Sequence, residues 1–132
     1  MVRISDDILY RVEKPSRYVG GELNEIIKNP KDVNIRFAFC FPDVYEVGMS
    51  HLGTRILYYT LNERKDTYCE RVFAPWPDME NLMRENNIAL YALESKDPIT
   101  NFDFLAFTLQ YEMSYTNVLN MLNMAKIPLR AS

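Results

Sequence analysis

Ile35 to Phe41 (IRFAFCF) is an apolar run broken only by Arg36, set between the turn Asn29-Pro30-Lys31-Asp32 and the loop that opens with Pro42-Asp43. A run of that length bounded by turn residues predicts a strand covered on both faces. From about His51 to Glu63 the pattern changes to helical spacing. Leu52, Ile56, Leu57, Tyr59, Thr60 and Leu61 are expected to form the buried side of that helix. Cys69 to Ala74 (CERVFA) predicts a second strand, and Pro75-Trp76-Pro77 turns the chain into a helix with Pro77 in its first turn. Met79, Leu82 and Met83 form its inward face, and Asn86-Asn87 its exit. Ala89 to Leu93 (ALYAL) reads as a short strand, Asp97-Pro98 interrupts, and Phe104 to Leu109 (FLAFTL) reads as another strand buried on both faces. Ser114 caps a final helix with Val118, Leu119 and Leu122 on its core side and Met121 and Met124 flanking. Ahead of all this, Ile4 to Val12 predicts a short helix opened by Ser5, Asp6 and Asp7 and broken at Lys14-Pro15, with a turn at Gly20-Gly21.

Alternating strands and helices, with strands apolar throughout, predict an α/β fold. The expected form is a Rossmann- or flavodoxin-like parallel sheet with helices on both faces. Residues 1–32 are expected to be a lead-in segment wrapped on a domain spanning 33–132. The chain stops at Pro128-Leu129-Arg130-Ala131-Ser132, just after a helix, where such folds lead into the next strand. The sheet is therefore expected to be truncated before its last strands, with an unfinished edge through which a second copy could pair as a homo-oligomer.

Composition narrows the function. A net charge of -3 in 132 residues leaves no basic footprint, so nucleic acid is not an expected partner. No apolar stretch approaches the length of a membrane span, and the N-terminus lacks a signal core, so a cytoplasmic location is expected. The two cysteines, Cys40 and Cys69, are expected to be free thiols, too few to ligate an iron–sulfur cluster. With His51 as the sole histidine, no Ser-His-Asp constellation or metal-ligand cluster can be drawn; no catalytic residue is assigned.

The loops carry what chemistry there is. The four glycines (Gly20, Gly21, Gly48, Gly53) build neither G-x-G-x-x-G nor a P-loop. Asp43-Val44-Tyr45-Glu46-Val47-Gly48 has the spacing D-x-Y-x-x-G at the carboxyl end of the first strand, where open α/β sheets bind ligands. Asp43 and Gly48 serve there as ligand contacts or, on the structural alternative, as a helix cap and a tight turn. Gln110-Tyr111-Glu112 follows a later strand and is expected on the same rim. Trp76, between two prolines, reads as a loop aromatic packed on the sheet.

Phe39 to Leu61 (FCFPDVYEVGMSHLGTRILYYTL) and Phe102 to Leu122 (FDFLAFTLQYEMSYTNVLNML), with KPSRYVGGELN at 14–24 and APWPDM at 74–79, resemble the N-terminal cobalamin-binding-like domain of a family of radical S-adenosylmethionine (SAM) proteins. The resemblance implies an accessory domain that positions cofactor or substrate for a downstream radical SAM domain of the same polypeptide, which would hold a 4Fe-4S cluster and SAM. It also places Asp43 and Gly48 at the acid and glycine of the D-x-H-x-x-G cobalamin loop, Tyr45 at its cobalt-ligating histidine, and Thr108-Leu109-Gln110 along the nucleotide-tail groove. The cofactor-binding set it implies is thus Asp43, Tyr45, Gly48, Thr108 and Gln110. A neutral phenol, with a pKa of about 10, is a poor cobalt ligand. Any cobalamin is therefore expected to lack a histidine ligand from this loop. The alternative is a non-catalytic flavodoxin-like docking or dimerisation module that binds no cobalamin.

Overall fold

The computed structural model describes residues 4, 6–12, 14, 17–20, 25–45, 47, 52–109 and 114–128. Among the described residues, helices α1 (Asp6–Tyr10), α2 (Leu52–Asn62), α3 (Pro77–Glu85) and α4 (Ser114–Met124) alternate with strands β1 (Ile35–Phe41), β2 (Thr67–Phe73) and β3 (Phe104–Phe107). The strands form one parallel sheet in the order β2-β1-β3. The crossover from β1 to β2 runs one way and that from β2 to β3 runs back across β1. Right-handed connections then place α2 and α3 on opposite faces.

Strand alternation divides the core accordingly. Ala38, Cys40 and Val72, with Leu105 and Phe107, join Met79, Leu82 and Met83 of α3 and Met121 and Met124 of α4 in the larger cluster. Ile8, Val12 and Tyr18 of the opening segment belong to it too. Phe37, Phe39 and Cys69 look the other way, onto Tyr58 and Leu61 of α2 and Ile26. Every strand therefore has a covered side, but the second face carries a single helix.

Two expectations about helix faces are met only in part. In α2 the buried residues are Thr54, Tyr58 and Asn62, while Leu52 and Ile56 are 66% and 55% exposed. In α4 they are Ser114, Met121 and Met124, with Leu119 left in solvent. In both, polar atoms or flexible methionines match the sheet better than branched side chains. Asn62 donates its amide to Cys69 O (2.9 Å) and accepts from Cys69 N–H (2.9 Å), pairing with β2 as a further strand would. Methionine fills uneven gaps beneath α4.

The strand expected at Ala89–Leu93 is also absent. Tyr91 makes one antiparallel bridge to Pro98, and a turn follows in which Lys96 takes φ 62. Pro98 has no N–H to extend a ladder. The segment instead closes the outer edge of β2: Leu93 N–H donates to Arg71 O (2.8 Å), and the Glu94 carboxylate accepts Arg71 N–H (2.9 Å). Lys28 Nζ donates to Thr67 O at 2.7 Å. That leaves β3 as the sheet's open edge among the described residues, and its Phe104, expected to be buried, is exposed.

Candidate functional site

The carboxyl ends of the strands converge on a rim built by three loops. Pro42 is buried, and its carbonyl accepts Asn117 Nδ2 of α4 at 2.9 Å. Asp43 O accepts Ala74 N–H at 2.9 Å, which fastens the loop after β1 to the loop after β2. The Asp43 carboxylate folds back on its own chain, with Oδ1 accepting Val44 N–H at 2.7 Å. Trp76 precedes α3; its N–H donates to the Tyr18 hydroxyl (3.3 Å), and the Arg17 guanidinium lies 5.3 Å from the ring centre. Between these walls is an open cleft of about 210 Å³, lined by Asp43, Val44, Trp76, Glu80, Asn117 and Asn120 among others. Arg84 ties its floor together, donating to Glu80 Oε1 (3.2 Å) and Asn120 Oδ1 (2.9 Å).

Tyr45 belongs to a different space. Its ring stands edge-on to Phe73, 5.6 Å between centroids, and it lines a small recess of about 30 Å³ with Arg17, Tyr18, Arg71 and Tyr91. The residue at the histidine position of the loop thus leans toward β2, not over the crevice between β1 and β3. Beneath it Arg71 Nε donates to Glu94 Oε1 at 2.7 Å, and the guanidinium lies 4.4 Å from the Tyr58 ring centre. The Tyr58 hydroxyl accepts Ile26 N–H at 2.9 Å and donates to Ile26 O at 3.4 Å. Burial pushes the Glu94 carboxyl up to about 7 against the opposing pull of Arg71 and Tyr58.

Thr108 follows β3, its N–H donating to Cys40 O at 3.4 Å, and its buried Oγ1 has no hydrogen-bond partner among the described residues. It stands at the carboxyl end with Asp43, but on the β3 side, whereas Tyr45 sits on the β2 side. Gly48, His51 and Gln110 lie outside the described residues. Cys40 and Cys69 are buried free thiols. Burial raises both, Cys69 to about 12, so neither is a thiolate at neutral pH. Among the described residues no three His, Cys, Asp or Glu side chains group closely enough to hold a metal ion, and no helix is long and apolar enough to cross a membrane.

Sequence reading missed the Arg71–Glu94–Tyr58 cluster and the polar floor of the cleft. A signal for the first was present: Glu70-Arg71 is a charged pair inside a buried strand, and such charges need partners. Glu70 is fully buried against Arg36, at 2.8 Å. Nothing local in the sequence brings Glu80 of α3 beside Asn120 of α4.

Residues 53–132, more than half of the chain, match the family described as radical SAM proteins, N-terminal. Thr108 and Gln110 fall inside the match; Asp43, Tyr45 and Gly48 precede it. No curated protein and no solved structure matches the chain.

Proposed function

The chain belongs to the radical SAM protein N-terminal family, and on that premise we propose that it is an accessory domain that holds a substrate or cofactor over the catalytic domain of a longer polypeptide, without itself giving a ligand to cobalt. In this reading the 4Fe-4S cluster and SAM belong to the downstream domain, where reductive cleavage of SAM generates the radical. This chain's share is the rim above the strand ends, the place where parallel α/β sheets present ligands.

The observation that carries the negative half is the seat of Tyr45. Its ring is packed on Phe73, within a recess that also holds Arg71. Asp43, which in a cobalamin loop would orient the ligating side chain, instead bonds its own Val44 N–H. These two residues do not fit a loop that holds cobalt, and no step of the reading passes through cobalamin. The unpartnered Thr108 Oγ1 favours a polar occupant on the β3 side.

The test is the spectrum of cob(II)alamin and hydroxocobalamin mixed with the polypeptide that carries this chain, set beside its Tyr45→Phe variant. The two proteins are expected to give identical spectra, with or without retained corrin. A phenolate–cobalt band or an altered cobalt signal that disappears in Tyr45→Phe would overturn the reading.

A further inference from the structure

We propose that the open cleft beside Trp76 binds a ring bearing a vicinal diol, a sugar or ribose ring seated against the indole. The inference rests on the reading above only in taking the carboxyl end of the sheet as the ligand-holding end.

The backbone that carries the indole is restrained before any ligand arrives. Pro75 and Pro77 restrict it on either side of Trp76, and the Trp76 backbone N–H donates to the Tyr18 hydroxyl. Arg17 lies against the ring and lines the recess under Tyr45 but not the cleft. Trp76 lines the cleft and is 45% exposed. A rigid aromatic surface with an apolar face suits the carbon face of a sugar ring or a flat base.

The polar lining supplies acceptors and few donors. Asp43 Oδ1 is occupied by Val44 N–H, Glu80 Oε1 by Arg84 and Asn120, and Asn117 Nδ2 by Pro42 O. Among the described residues the lining atoms left without partners include Asp43 Oδ2, Glu80 Oε2 and Asn117 Oδ1, all acceptors. A ligand that satisfies them must donate. Adjacent hydroxyls do so with the spacing a carboxylate reads, as acidic residues do on a ribose. Phosphate and carboxylate ligands are excluded by the two acidic walls. An ammonium ligand would also donate, but Arg84 on Glu80 already sets a cation at that wall, so a neutral donor fits better.

Trp76 is the sole tryptophan, so its indole N–H gives one signal in a 15N–1H correlation spectrum of the full chain and reports directly from the cleft. Methyl α-D-glucopyranoside and adenosine are titrated separately to distinguish a free sugar from a nucleoside. 2′,3′-Dideoxyadenosine and lysine methyl ester serve as controls. The expected result is a saturable shift with a midpoint on the order of 1 mM for at least one diol. The dideoxy compound and the Glu80→Gln variant should each weaken it by about tenfold. Asp43→Asn is the second variant, should Glu80→Gln disturb the bond to Arg84; it too should weaken the diol while the urea midpoint holds. No saturable shift with either diol, an equal response to the dideoxy compound, or a response only to the amine would overturn the proposal. None of those results would touch the reading that Tyr45 gives no ligand to cobalt, which the cobalt spectra test separately.

Discussion

Glu94 and Arg71 show how one buried pair can serve both the sheet and its ligand-facing end. Glu94 caps the edge of β2 through Arg71 N–H while its other oxygen takes the guanidinium that lines the recess under Tyr45. Burial holds the Glu94 carboxyl near 7 in the folded chain, above the 4.5 of an unperturbed glutamate. The folded chain therefore keeps a proton there that the unfolded chain releases. This group's contribution to stability is complete below about 4.5 and lost as pH rises through about 7. Arg71→Met removes the cation that offsets the cost of the ionised form. The expected destabilisation is about 3 kcal/mol at pH 8, as for other buried pairs broken on one side. At pH 5, where Glu94 is protonated, it should be clearly smaller. Urea unfolding at the two pH values checks this, and a larger loss at pH 5 would contradict the assignment.

At the scale of elements, the sequence announced where helices and strands lie more faithfully than which side of them is buried. The apolar spacing in α2 correctly marks a helix, yet Leu52 and Ile56 form an outward ridge and Thr54, Tyr58 and Asn62 meet the sheet. The reason is physical: Asn62 and Tyr58 satisfy backbone groups of β2 and of Ile26, which no leucine can do. Periodicity measures where carbon recurs, not where hydrogen-bonding demand lies. Ile56→Ser should accordingly change stability by no more than about 0.5 kcal/mol. Tyr58→Phe leaves Ile26 N–H short of its partner and should cost about 1–2 kcal/mol. Reversed magnitudes in chemical denaturation would mean that α2 faces the sheet as its apolar pattern suggests. The strand lost at Ala89–Leu93 has a similar origin, because Pro98 and the Glu94 side chain took over bonds that a ladder would have made.

For the whole molecule, the alternation of apolar strands and helices was enough to reach a parallel α/β sheet with helices on both faces, and the order β2-β1-β3 follows from reversing the crossover. The rim was legible only in part. Asp43 and Thr108 reach the carboxyl end from motifs that sequence alone displays. Glu80, Asn117 and Asn120 reach it only because α3 and α4 pack side by side, a juxtaposition that local patterns do not encode.

The central claim is that this chain holds and positions, while the radical chemistry belongs elsewhere in the polypeptide. The most direct measurement is uncoupled reductive cleavage of SAM to 5′-deoxyadenosine by the whole polypeptide, with iron and sulfide content determined alongside, for the native sequence and for Asp43→Asn and Tyr45→Phe. Cleavage and cluster content should be the same in all three. A folded variant that lost its cluster or its cleavage activity would place this rim inside the catalytic machinery and contradict the account.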